Sequence, residues 1–406
     1  MQLFGKFHAR LAVAALTSLG GLAMAADPIL IGASITQSPP GSVVQGTQVK
    51  DGLEIMKDMI NAKGGVLGRP IKIIYEDNQG IPEKGRAASE KLIASEKVVA
   101  ITGGHQSSVC LAEIEVAQKY KTPYVNTNCW SDAVRTKGYP VVFNTSPYNT
   151  SVSSVMSTTL AAMKVKRVVA FAENTDYGIG QAKLTGELLK QKDPSIDYKY
   201  ETLDRASKDF TPAILPLRAN PPDVIVTSML PPAAYLLINQ LYEQGVAPSA
   251  KTILYDGGGL VDYPDFWQNV KEAGKYMLSF ALYHPQMKQT KDAVDVATEY
   301  KRRTKNDVNR LVLQAADSLN FVVQGIQAAK STDPEKLTKA MQTLKFNSIR
   351  SISNFSTEPG YKYQQWLDIP YVNYQVTAER QPIAETNLIQ EPGGSFNTAK
   401  IQRPAK

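Results

Sequence analysis

The sequence predicts an α/β fold of two lobes, each a parallel sheet with helices on both faces. Apolar strand-like runs alternate with amphipathic helix-like runs along most of the chain, the order of βαβ units. With 406 residues and 43% hydrophobic content, the chain exceeds the size at which one core stops growing. The sharpest local sign is the stretch 61–77. There an amphipathic run (Gly52, Leu53, Ile55, Met56, Met59, Ile60) stops at Gly64 and Gly65, which supply a left-handed cap. Pro70 then opens an apolar strand that closes on Glu76 and Asp77.

Taken in order, the chain opens with Lys6 and Arg10, an apolar stretch 11–22 too short to span a bilayer, and a small-x-small site at Ala23, Met24 and Ala25. This predicts an exported chain whose residues 1–25 are removed. No cysteine stands at the cleavage point, so no lipid anchor is expected. Buried strands are expected at 29–33, 71–75, 98–102, 123–126, 141–143, 167–172, 223–227 and 252–256. Helices are expected between them at 84–95, 112–120, 151–163, 180–191 and 233–244, followed by long helices at 291–305 and 311–329. No short repeat or low-complexity linker interrupts the pattern.

The formal charge of +7 is spread along the sequence, with Lys301, Arg302 and Arg303 as its one tight cluster. A single basic triplet neutralises too few phosphates for tight binding, so no nucleic-acid partner is expected. Cys110 and Cys129 are the two cysteines. In an oxidising compartment they suggest a disulfide, the alternative being two buried thiols acting as small hydrophobes.

Catalytic and cofactor chemistry lacks a complete set of residues. His105 lies close to Ser107 and Ser108, yet no G-x-S-x-G elbow accompanies them, and a nucleophile needs a placed base with an orienting acid. Two separated cysteines without paired histidines make no zinc motif, and Gly257, Gly258 and Gly259 lack the context of a phosphate loop. No enzyme activity, metal or cofactor is expected.

The stretch 61–77, with its glycines, proline and acidic end, resembles the helix-then-strand signature of type I periplasmic solute-binding proteins, the branched-chain amino-acid-binding family of ABC importers. The resemblance implies a two-lobed fold with a three-crossover hinge near residues 144–148, 278–281 and 346–352. Residues 26–147 would form the first lobe and 148–280 the second, 281–346 would return to the first, and 347–406 to the second with a tail. Ala315, Ala316 and Asp317 stand where the family's returning helix carries its small-small-Asp segment. The resemblance further implies a periplasmic monomer that captures a small carboxylate or amino acid and hands it to an ABC permease. A sensing module acting through a receptor partner is the alternative.

Open parallel sheets bind ligands beyond the carboxyl ends of their strands, which directs attention to the polar loops. His105, Gln106, Ser107 and Ser108 follow a strand and start a helix, where backbone N–H groups and hydroxyls suit a carboxylate. Plain N-capping by a serine is the other reading; the resemblance puts the carboxylate grip on Ser107 and Ser108. Asn128, Cys129 and Trp130 end the next strand, and the bulky Trp130 departs from the family's small residues. It would shelve an apolar ligand body or fill a core. Glu173 and Tyr177 belong to a turn whose tyrosine, by the resemblance, packs on the ligand from the second lobe; otherwise it anchors the turn. Tyr148 lies at the first crossing, and Gln45 stands where relatives often carry an aromatic contact. Gly258 occupies the position at which amino-acid binders place an acid against the ligand ammonium, with Asp256 two residues earlier. A buried ammonium without a carboxylate costs several kcal/mol. An amine-free, aromatic acid is therefore favoured over an α-amino acid, unless Asp256 or Glu173 reaches the cleft.

Overall fold

The computed structural model describes residues 27–350, 355–391 and 393–405, so the leader expected at 1–25 lies outside the described residues. Two seven-stranded sheets carry the fold. In the first, β1 (Ile29–Ile35), β2 (Ile71–Asp77), β3 (Ile101–Thr102), β4 (Tyr124–Asn126) and β5 (Val142–Asn144) run parallel. In the second, β6 (Arg167–Glu173), β7 (Asp197–Leu203), β8 (Val224–Ser228), β9 (Ile253–Asp256) and β10 (Leu278–Ala281) do the same. The remaining strands are β11 (Phe355–Ser356), β12 (Gln365–Trp366), β13 (Val372–Gln375) and β14 (Asn387–Gln390). The sheet orders are β11-β12-β5-β4-β3-β1-β2 and β14-β13-β10-β9-β8-β6-β7, so each repeats the doubly wound order with two added strands at one edge.

Helices α1 (Val43–Ala62), α2 (Pro82–Glu90), α3 (Ser107–Lys119) and α4 (Ala133–Thr136) connect strands of the first sheet. Helices α5 (Asn149–Ala162), α6 (Asp176–Lys192), α7 (Thr211–Ala219), α8 (Ala233–Glu243) and α9 (Phe266–Asn269) serve the second. After β10 the chain returns through α10 (Lys291–Thr304), α11 (Arg310–Ala329) and α12 (Pro334–Gln342), and α11 packs along α1. Gly52 makes that approach possible, because a Cβ there would stand 2.2 Å from the Val312 carbonyl oxygen. No helix of the described residues is long and apolar enough to cross a membrane.

The punctuation at 61–77 has a clear geometry. Gly64 and Gly65 adopt φ of 95° and 74°, and the Gly65 amide donates to the Ile60 carbonyl at 3.1 Å, closing α1. A side chain on Gly65 would collide with the Arg69 carbonyl. Pro70 then offers its own carbonyl to the Ile29 amide at 2.8 Å, which sets the register of β1 against β2.

One expected boundary needs correction. The last crossing was expected near 346–352, but β12 pairs with β5 through Gln365 and Asn144, so the chain is still in the first sheet at Trp366. The passage to the second sheet lies between Trp366 and Val372. The physical reason is Trp366 itself, 1% exposed and under the Arg350 guanidinium, an anchor that holds this segment to the first lobe. Asp317 fastens the chain just before it: the buried carboxylate accepts from Ser348 Oγ, from the Ile349 amide at 3.0 Å and from Arg350 Nε at 3.0 Å.

Arg135 ties the crossings together. Its Nε donates to Gln365 Oε1 at 2.6 Å, Nη1 to the carbonyls of Cys129 (2.6 Å) and Ser131 (2.9 Å), and Nη2 to Ser146 Oγ and the Pro147 carbonyl, both at 2.7 Å. Every guanidinium hydrogen is thus held by a neutral acceptor. Burial still brings the group down to about 10.

Candidate functional site

The carboxyl ends of the two sheets face one another across a cleft, and a small cavity of about 10 Å³, room for a single water, lies in it. Its lining comes from strand-end loops and helix starts: Gln45, His105, Ser107, Asn128, Trp130 and Arg310 on the first lobe, and Tyr177, Leu230 and Gly258 on the second. Trp130 forms one wall. Its indole Nε1 donates to Asn128 Oδ1 at 2.8 Å, and its ring meets Tyr177 edge to face at 5.7 Å and Phe280 at 6.1 Å. The hydrogen bond fixes the ring plane, so the wall is preorganised.

Several expected site residues therefore come together: Gln45, His105, Ser107, Asn128, Trp130 and Tyr177 all line this cavity. Ser107 Oγ accepts from the Ser131 amide at 3.0 Å, which leaves its own proton for an incoming acceptor. Tyr177 donates to the Gly257 carbonyl at 3.3 Å, and burial pushes its phenol well up, so it stays neutral.

The other expected residues lie elsewhere. Ser108 faces outward, because α3 starts at Ser107 and turns the next side chain toward Asp176, whose carboxylate it meets at 2.9 Å across the lobes. Gln106 points back to Thr36 Oγ1 at 3.2 Å. Cys129 turns its sulfur away from the cavity into a disulfide with Cys110, which resolves the choice between bond and thiols. Tyr148 stacks on Tyr361 at 5.6 Å beside the Arg135 guanidinium, in the crossing segment rather than in the cavity.

Neither acid that was weighed as an ammonium partner reaches the cavity lining. Asp256 accepts from the amides of Gly258 (2.8 Å), Leu260 (2.5 Å) and Val261 (3.4 Å) and from Ser279 Oγ (2.8 Å). These bonds fold the glycine-rich turn after β9. Glu173 accepts from Thr175 Oγ1 at 2.7 Å and from the Leu230 amide at 2.8 Å. Burial raises the pKa of both carboxyls. Their lone pairs organise loops and are committed there.

The residue that sequence reasoning missed is Arg310, the first residue of α11. It is 1% exposed, its side-chain nitrogens donate to the Gly258 carbonyl (2.7 Å), Tyr263 Oη (3.1 Å) and Asn128 Oδ1 (3.4 Å), and Nε has no partner among the described residues. The guanidinium carbon stands 5.1 Å from the Trp130 ring centre and 5.6 Å from that of Tyr263. Burial opposes its charge, but Tyr263, Asp262 and Asp256 outweigh that effect and hold its pKa up. No carboxylate of the described residues forms an ion pair with it within 4 Å. The sequence did contain a sign, since Asn309 and Arg310 open a helix whose buried face is mostly apolar, with Gln314, Asp317 and Ser318 as its other polar members. Asn309 caps the helix by accepting from the Leu311 amide at 3.0 Å, and this places Arg310 at the helix mouth, facing the cleft.

Two lobes of doubly wound topology meeting at a small cavity, with a preorganised aromatic wall and a buried guanidinium in its lining, define a solute-binding protein. The chain belongs to the periplasmic binding protein family, whose pattern matches residues 28–366, and within it to the type I, branched-chain amino-acid-binding group. It is 29% identical over 266 residues to the Leu/Ile/Val-binding protein homolog 7 of Brucella melitensis, covering 61% of this chain and 63% of that relative. It is 23% identical over 363 residues to the Leu/Ile/Val-binding protein homolog 1 of Brucella suis, covering 87% and 94%. Among solved structures, the LivJ substrate-binding protein of Streptococcus pneumoniae in complex with isoleucine is similar at 20% identity, with a TM-score of 0.75 and coverage of 90% and 100%. A solute-binding protein of an ABC transporter from R. palustris in complex with 4-hydroxybenzoate is similar at 20% identity, with a TM-score of 0.77 and coverage of 90% and 96%. At these identities the two structures share the fold.

Proposed function

We propose that this chain is the exported, periplasmic binding component of an ABC importer that captures a small amine-free carboxylate, an aromatic acid foremost, and delivers it to a membrane permease. The observation that carries this reading is Arg310. A buried guanidinium in the cavity lining, with Nε unpartnered and no carboxylate of the described residues within ion-pair distance, suits an anionic ligand group. Ser107 supplies a hydroxyl proton in the same lining, and Trp130 and Tyr177 offer aromatic surface to the ligand body.

A neighbouring cation disfavours an ammonium in the same small space. Gly258 at the usual acid position, with Asp256 and Glu173 engaged in their loops, supports the same conclusion. Relatives of this fold are described with isoleucine in one case and 4-hydroxybenzoate in another, so this chain's own residues carry the choice. The first lobe would receive the solute and the second close over it as a monomer, with bending in the segments between the sheets.

Thermal-shift and calorimetric titration of the purified chain with benzoate, short aliphatic acids and leucine test the reading. Aromatic acids should raise Tm and bind more tightly than leucine. A panel in which only α-amino acids raise Tm would refute the amine-free assignment.

A further inference from the structure

A second cavity, of about 440 Å³, lies where the lobes join and shares no lining residue with the cleft cavity. That size falls within the range of small-molecule sites. Leu313 of α11 and Ile349 line it from the first lobe and Val372 of β13 from the second, each at most 2% exposed. Half-buried Met287 completes the apolar wall from the segment between β10 and α10. An occupant would therefore touch both lobes and a connecting segment.

One buried polar side chain is set among these apolar ones. The Arg350 side chain is 6% exposed; its Nε donates to Asp317 Oδ2 and its Nη2 to the Thr145 carbonyl, both at 3.0 Å. Nη1 is also buried and has no acceptor among the described residues. A buried donor without an acceptor is a standing cost, which an oxygen brought by an occupant would remove. Trp366, whose ring centre lies 4.7 Å from the guanidinium carbon, holds the group in place.

The charge of Arg350 is already balanced. Its ion pair with Asp317 is neutral as a couple, whereas Arg310 has no carboxylate partner of this kind. A carboxylate at Nη1 would bury a second negative charge near Asp317; a neutral carbonyl oxygen accepts the same hydrogen bond without one. Lys288 and Glu391, both exposed at the cavity edge, are opposite in sign and add no net charge.

We propose that this cavity is a second binding site, separate from the cleft, for a small neutral aliphatic molecule whose carbonyl oxygen accepts from Arg350 Nη1. An ester, a ketone or an amide carries that oxygen.

The test follows the Met287 methyl signal by carbon-13 NMR of the full chain during titration with methyl hexanoate and with hexanoate. In wild type, methyl hexanoate should shift this signal saturably, and hexanoate should bind on the order of tenfold more weakly. Arg310→Met, which removes the cation from the cleft, should leave the ester's affinity within about twofold. Arg350→Lys keeps a cation for Asp317 but lacks Nη1, and should weaken the ester about tenfold. The wild-type titrations stand whether or not the variants fold. A Met287 signal that stays put up to the solubility of the ester overturns the site, and so does a shift that disappears in Arg310→Met, because the ester would then occupy the cleft. Hexanoate binding as tightly as the ester, or an ester affinity unchanged in Arg350→Lys, overturns the neutral-carbonyl assignment.

Discussion

Replacing Arg310 with methionine should separate ligand binding from folding. The side chain keeps its reach but loses the charge, including the unpartnered Nε. One charge-assisted hydrogen bond to a ligand carboxylate is worth about 1.5–3 kcal/mol, so Kd should rise roughly 10- to 150-fold. The effect on the empty protein has a different balance. Arg310→Met gives up the bonds to the Gly258 carbonyl and Tyr263 Oη and the attraction of the nearby Asp262 and Asp256, and recovers only the cost of holding a guanidinium away from water. The attraction outweighs the burial cost, so the empty variant should melt somewhat lower while its ligand-induced rise in Tm collapses. Calorimetry gives the affinity, and melting with and without benzoate gives the two stabilities. An affinity within threefold of wild type would refute the role of Arg310. So would a large fall in the empty protein's Tm accompanied by an unchanged ligand-induced increment, because the residue would then be structural.

Ser107→Ala should weaken carboxylate binding about tenfold, whereas Ser108→Ala should leave it within about twofold, since Ser108 faces Asp176; parallel titrations compare them. Asp256→Asn should lower stability by about 2–4 kcal/mol in urea unfolding while affinity changes little, because the carboxylate organises the turn after β9. Glu113 is buried among Ser34, Tyr124 and Asn78, and burial raises its carboxyl to about 7. A carboxyl whose pKa rises on folding contributes stability that is full below its ordinary value near 4.5 and lost as pH climbs through 7. Unfolding free energy should therefore decline between pH 5 and pH 8, and Glu113→Gln should flatten that decline; an unchanged slope would show that other groups set it.

Much of the fold was legible because buried parallel strands write themselves as short apolar runs and their connecting helices as periodic ones. The strands at 71–75, 167–172 and 252–256 begin within one residue of the observed β2, β6 and β9. Strand β7 escaped notice because it is an edge strand, largely exposed, and its residues Asp197, Lys199 and Glu201 read as solvated surface. The short strands β11 to β14 escaped for another reason: two to four residues carry no periodicity, and long-range pairing alone defines them.

The site was half legible. Loops at strand ends announce themselves through the topology of parallel sheets, and within those loops the family resemblance picked out Ser107, Asn128, Trp130 and Tyr177, which the structure brings to one cavity lining. Orientation within a loop follows from the residue at which the helix begins, and expecting α3 to start later hid the fact that Ser107 and Ser108 point opposite ways. Arg310 was hidden by distance, since nothing local to residue 310 says that Gly258 and Trp130 will be its neighbours.

Arg135 decides where the molecule can bend. Unfastening its guanidinium would strand buried donors and expose the carbonyls of Cys129 and Ser131, at a cost of several kcal/mol. Opening must therefore pivot outside this knot, beyond Pro147 on one strap and beyond Gln365 on the other. The loop bearing Trp130 is held by this knot on the first lobe and also by the start of α5, whose Asn149 amide donates to the Trp130 carbonyl at 2.6 Å, so the motion that parts Tyr177, Leu230 and Gly258 from it would have to bend beyond Thr150. An empty, open molecule would meet its solute with a finished half-site of Ser107, Asn128, Trp130 and Arg310. On this geometry the anion would be chosen at first contact, and closure would serve as confirmation.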